Sequence, residues 1–135
     1  MNKPIKGLLF RSDGTYAQVV YEDYKDITRF LGVDEWTVIY RSFNGIRCTI
    51  YLDDCGLYRD NHVVTAVSDN YREALVGNLL ICKAGCGGED ESLTESELQM
   101  LFDRVVNLHH WVDGKWKSNN VIVFDTIKSI GGDKT

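Results

Sequence analysis

Four cysteines, three histidines and a pair of adjacent aspartates are the residue types here with the most demanding chemistry. Six residues separate Cys48 from Cys55 and three separate Cys82 from Cys86, which is looser than the paired ligands of a zinc knuckle. Ligand type alone allows a zinc site from Cys82, Cys86, His109 and His110. Adjacent histidines, however, point to opposite sides of a strand and diverge by about 100° on a helix. A Cys/His enzyme would pair Cys55 or Cys86 with His62, His109 or His110, and no spacing forces such a pair together. Asp53-Asp54 runs into Cys55-Gly56, a composition that usually makes a turn through side chain to backbone hydrogen bonds rather than a metal site. The reading is therefore a non-enzyme, with no catalytic residue, no metal and no cofactor assigned.

Two binding chemistries remain. Residues 85–108 hold one basic and six acidic groups, against ten and eleven in residues 1–84 and four and three in residues 109–135. The net charge of −5 is thus concentrated in one segment, where Glu89, Asp90, Glu91 and Glu95 offer a contact for a basic partner. The ordinary reading is a solvated face that also suits a helix N-terminus. The second chemistry is aromatic: Trp36, Tyr40 and Tyr51, with Arg47, can stack on a base or a partner's side chain. With Arg41 added, that set becomes a binder of a small nucleotide or anion; the alternative for Arg41 is structural pairing with an acid. Gly85, Gly87 and Gly88 do not make a phosphate loop, because no Lys-Ser/Thr follows and acids do. No basic stripe is present, so direct duplex nucleic-acid binding is not expected.

The element that positions the aromatic set is a hairpin from Trp36 to Leu52 around Asn44-Gly45, a pair suited to a type I′ turn. That register sets Phe43 against Ile46, Arg41 against Cys48, Ile39 against Ile50 and Thr37 against Leu52 on an aliphatic face that should pack on helices. Trp36, Val38, Tyr40, Ser42, Arg47, Thr49 and Tyr51 take the other face. An earlier hairpin joins Ile5–Phe10 to Tyr16–Tyr21 through Asp13-Gly14. Asp23 caps a helix over residues 24–31 that stops at Gly32. His62–Val67 reads as a short strand or ordered loop, residues 70–76 as a turn or short helix, and Leu79–Lys83 as a buried strand. Thr94 and Glu97 form a capping box for a helix over 94–108, in which Leu98, Leu101, Phe102, Val105 and Leu108 recur at helical spacing. Asp113-Gly114 turns another hairpin between Trp111 and Trp116. Val121–Ile127 reads as a strand that returns to the sheet or covers the aromatic face, and Gly131–Thr135 as a frayed tail.

From Ile5 to about Val105, roughly three quarters of the chain, the order of features resembles domain-of-unknown-function 3846, small proteins found largely in phages and other mobile elements. The matching pieces are Ile5-Lys6-Gly7-Leu8-Leu9, Leu31-Gly32, Asp53-Asp54-Cys55-Gly56-Leu57, Asn61 before Thr65-Ala66, Leu75-Val76-Gly77-Asn78-Leu79-Leu80-Ile81, and Ser92-Leu93-Thr94. Where the family usually has Leu-Pro ahead of the Asn, this chain has Tyr58-Arg59-Asp60. The resemblance implies an α+β accessory protein and no particular reaction.

These readings combine into an expectation. A chain of 135 residues with 44% apolar content and a single proline fits one domain with a real core. The class expected is α+β, with an antiparallel or mixed sheet of about five to six strands and two main helices. Residues 1–108 form the family-like core and 109–135 a C-terminal β extension packed on it. No run of about 18 apolar residues and no signal-like N-terminus occur, so a cytoplasmic protein without membrane partners, its cysteines reduced, is expected. Its function would be to bind and modulate a host factor, a defence component among the candidates, through Glu89, Asp90, Glu91 and Glu95.

Overall fold

β1 (Ile5–Phe10) and β2 (Tyr16–Tyr21) pair antiparallel in the computed structural model, which describes residues 3–56 and 63–127. Their turn is tied by Asp13, whose carboxylate accepts from the Thr15 amide at 2.9 Å and its hydroxyl at 2.6 Å. α1 (Tyr24–Leu31) follows, with Asp23 accepting from the Lys25 and Asp26 amides and Gly32 left-handed at its end.

β3 (Trp36–Phe43) and β4 (Ile46–Asp53) keep the register set by their turn residue for residue, from Phe43 opposite Ile46 to Thr37 opposite Leu52. Asn44 and Gly45 have φ of 54° and 84°, as a type I′ turn requires. After residues 57–62 come β5 (Val64–Ser68), β6 (Ala74–Val76) and β7 (Leu79–Ala84). Residues 70–76 thus make a turn and a strand. A glycine turn then leads to the two-residue β8 (Asp90–Glu91).

α2 (Glu95–Phe102) carries the expected capping box between Thr94 and Glu97 but ends six residues before the expected 108. The competing structure is β9 (Val105–Val112), paired with β10 (Lys115–Phe124) across Asp113-Gly114. Val105 and Val106 favour strand, and Val106 and Leu108 share one face at a strand's period of two, a spacing a helix would split. Arg104 fixes the switch: its Nε donates to the Val123 carbonyl, and its carbonyl accepts from the Val123 amide, both at 3.0 Å.

The strands form two sheets. The first runs β2-β1-β7-β4-β3, with β8 on β7; the second runs β6-β5-β10-β9, with β5 and β10 parallel. The first sheet is covered on both faces. Its aliphatic face meets the second sheet and α2 in a core built on Phe10, Phe43, Ile50, Leu101, Ile122 and Phe124. Its other face meets α1 through Tyr21, Ile27, Leu31, Leu80 and Cys82. The protein is a small single-domain α+β fold. β10 therefore packs against the aliphatic face, and α1 covers part of the aromatic one. The position 108 taken as the end of the core lies inside β9.

Asp125, just beyond β10, locks the sheets together: it accepts from the Asn44 and Gly45 amides at 3.1 and 2.9 Å and pairs with Arg104 at 3.4 Å. No helix among the described residues is long and apolar enough to cross a membrane. The tail expected at Gly131–Thr135, His62, and the family-like stretch from Leu57 to Asn61 lie outside the described residues.

Candidate functional site

Alternation along β8 decides what the acidic segment can do. Asp90 stands opposite Ala84 and Glu91 opposite Lys83, so the two side chains leave opposite faces of the sheet. Asp90 turns under the aromatic face, where the hydroxyls of Tyr21 (2.8 Å) and Tyr51 both donate to its Oδ2. Glu91 turns toward Gly85 on the face where Lys83 pairs with Glu97 of α2 at 3.0 Å. The expectation that Glu89, Asp90 and Glu91 all sit in solvent thus fails at Asp90, which is half-buried.

Around Asp90 lies a cleft of about 530 Å³ between the start of α1 and the glycine turn. Tyr21, Tyr40 and Tyr51 wall it, Thr49 lies at its floor, and Glu22, Asp23 and Glu89 join Asp90 in its lining; among the described residues Lys3 is the one cation there. Tyr21 and Tyr51 meet edge to face, centroids 6.2 Å apart. Trp36 stands edge-on behind Tyr51 at 5.3 Å, with its Nε1 donating to Thr28 of α1 at 3.1 Å. Arg47 lies 4.8 Å over the exposed ring of Tyr40.

Protons in this cluster are ordered by chemistry. Tyr21 has one hydroxyl hydrogen, and the ionised carboxylate is the stronger acceptor; its oxygen then faces the Cys82 thiol, 3.0 Å away, as acceptor. Burial first, with Cys82 and Asp90 adding to it, pushes the Tyr21 phenol far above its ordinary value. Burial and the Asp90 hydrogen bond raise Tyr51, and burial raises the Cys82 thiol. Cys48, in the other core, is pushed up to about 12 by burial and then by Glu97. These thiols are poor nucleophiles.

A pH dependence follows. The folded protein holds the Tyr21 and Tyr51 protons above the ordinary 10 and the two thiol protons above the ordinary 9. The unfolded chain therefore sheds them first, and stability is full below about pH 9 and declines as pH rises beyond it. Urea midpoints should hold between pH 8 and about 9 and fall from there to pH 11, and wild type minus Tyr21→Phe spectra should show tyrosinate only as the protein unfolds. Tyrosinate from Tyr21 in the folded protein at pH 10 would contradict the geometry.

Of the residues singled out in the sequence, Glu89, Asp90, Tyr40 and Tyr51 meet in this cleft. Glu91 and Glu95 do not: Glu95 is exposed in the first turn of α2, on the opposite side of the sheet. Arg41 does not line this cleft. It points from β3 to the aliphatic face, where Nε donates to Glu73 at 3.0 Å and Nη2 to its second oxygen, with the guanidinium 5.9 Å over Phe124. Of the alternative nucleotide set, Arg41, Tyr40 and Arg47 line a separate cleft of about 260 Å³ beside Asp125, whereas Trp36 and Tyr51 do not line it. Tyr21, Cys82, Glu22 and Asp23 were not anticipated, since their approach depends on β1–β7 pairing that no local signal encodes.

The zinc set does not converge. Cys82 is buried beside Tyr21, Cys86 is exposed on the glycine turn, and His109 is exposed on β9. The side chain of His110 lies outside those described. Among the described residues no three His, Cys, Asp or Glu side chains group as metal ligands would. Asp53 closes a turn by accepting from the Cys55 amide at 2.9 Å.

Compared with known proteins, the chain matches no family model, and no curated protein and no solved structure is significantly similar to it.

Proposed function

We propose that the protein is a binding module, not a catalyst, whose tyrosine-walled cleft receives a cationic side chain from a basic segment of a protein partner. The observation that carries this reading is Asp90, a carboxylate held by the hydroxyls of Tyr21 and Tyr51 in a cleft it shares with Glu22, Asp23 and Glu89. Aromatic faces attract cations through their quadrupole, and a carboxylate pre-oriented by two phenols needs little reorganisation to accept an ammonium or guanidinium. The same acids oppose phosphate, and Arg41 is engaged by Glu73, so the geometry favours a cation over a nucleotide. The resemblance to phage and mobile-element proteins supplies the setting: a cytoplasmic accessory protein that engages and modulates a host factor.

The test is calorimetric titration with a decapeptide of alternating Lys, Arg and Ser. Wild type should bind, more weakly as salt rises. The double variant Glu89→Gln, Asp90→Asn should lose about tenfold or more in affinity, a change of about 1.4 kcal/mol. Glu91→Gln with Glu95→Gln should lose far less. Equal losses in both doubles would place the contact on the acidic segment as a whole, and no binding by wild type would remove the cation reading.

A further inference from the structure

We infer that the arm formed by β9 and β10 joins two copies of this chain, the tryptophan tip of each seated in an apolar groove of the other. β10 bonds to β5 only over Ile122–Phe124, whereas its ladder with β9 continues out to Val112 opposite Lys115. Beyond its root the arm is a two-stranded ribbon with no third strand among the described residues, an arrangement of marginal stability by itself in water. At its end Trp111 stands opposite Trp116, rings 5.2 Å apart at 80°, with 60% and 69% of their surfaces exposed.

A matching receptor lies at the root of the same arm. A groove of about 520 Å³ is lined by Val63, Val64, Val67, Ala74, Leu108 and Val121, with His109 and Asn119 also in its lining and, among the described residues, no Lys, Arg, Asp or Glu. Among the described residues it offers apolar contact and two polar side chains, which suits an indole. The arm cannot fill its own groove. Trp111 and Trp116 share the face of Val105 and Ile122, which points into the core, whereas Leu108 and Val121 share the opposite face. A second copy is the occupant whose chemistry is already present. Because tip and groove belong to one element, exchange about a two-fold axis makes both contacts at once and closes the assembly as a dimer.

The exposed parts of four indoles, about 90–170 Å² each, with an equal area of groove, bury about 720–1,380 Å² in total, a span that includes the roughly 1,000 Å² a specific interface needs. The inference is independent of the cleft, which lies on the first sheet under α1.

Sedimentation between roughly 1 and 100 μM, a span that reaches the weaker dissociation constants of such interfaces, tests it. Wild type should run at twice the 15.4 kDa chain mass, its indole emission shifting to shorter wavelength as concentration rises. Trp111→Ser with Trp116→Ser should be monomeric, and so should Ala74→Arg, which puts a charge in the groove at an exposed position and leaves the tip intact. Wild type monomeric throughout, or either variant still dimeric, would overturn the inference.

Discussion

Replacing Phe124 with alanine is expected to cost about 3–5 kcal/mol of folding stability, a large share of what a domain of this size holds. Phe124 is fully buried where the second sheet meets the first, edge-on to Phe43 at 6.4 Å and beneath the Arg41 guanidinium. Truncation opens a cavity between two sheets whose backbones are pinned on either side by Asp125 and Arg104. Collapse around the void is therefore limited, and the Arg41–Glu73 pair loses the ring that shields it. Urea denaturation measures the change, with Ile127→Ala as the control: that side chain is 62% exposed, and its loss should stay within about 0.5 kcal/mol. A Phe124→Ala loss no larger than the control's would mean that the second sheet does not pack as described.

Asp90→Leu is expected to cost roughly 2–4 kcal/mol, because the buried Tyr21 and half-buried Tyr51 phenols lose their shared acceptor and an unsatisfied buried group costs roughly 1–3 kcal/mol. Asp90→Asn keeps an acceptor oxygen in place and should cost less than about 1 kcal/mol, while removing the charge that the proposed ligand needs. The pair separates structure from binding. Leucine should lower the denaturation midpoint and free the Tyr21 and Tyr51 hydroxyls, whereas asparagine should leave the fold and weaken peptide binding. If both variants were equally stable, Asp90 would not be the anchor of the cluster.

What could be read from the sequence, and what could not, divides along the range of the interactions. The Asn44-Gly45 turn forced one register on β3 and β4, and a one-residue slip would have put Phe43, Cys48 and Ile50 in the wrong layer. Asp23, Gly32 and the Thr94–Glu97 box are local hydrogen-bonding devices, so both helix starts and the first helix end were legible. The end of α2 was not, because the helical spacing of Leu98, Leu101, Val105 and Leu108 carries no sign of β10, the partner whose pairing made the choice. The second sheet was likewise hidden, since its parallel β5–β10 pairing joins residues more than fifty positions apart.

The candidate site shows the same division. Glu89 and Asp90 stood out as acids, and Tyr40 and Tyr51 as aromatics, but as rival features of separate faces. Only β8 pairing with β7 brings Asp90 beneath Tyr51, and only β1 lying between β2 and β7 brings Tyr21 to the same carboxylate. The pairing that merges them is non-local. Arg41 was the inverse case: an anomaly on an aliphatic face, whose partner Glu73 lies in a segment that gave no clear sequence signal.

The most direct measurement is an amide chemical-shift titration of the protein with the Lys/Arg/Ser decapeptide. If the cleft receives a cation, saturable shifts should concentrate at Tyr21, Glu22, Thr49, Tyr51, Gly88 and Asp90, and should vanish in Asp90→Asn while that variant's spectrum stays folded. Shifts that instead follow Glu91 and Glu95 along α2, or that gather at Trp111 and Trp116 with the cleft silent, would contradict the assignment of the cleft as the binding site.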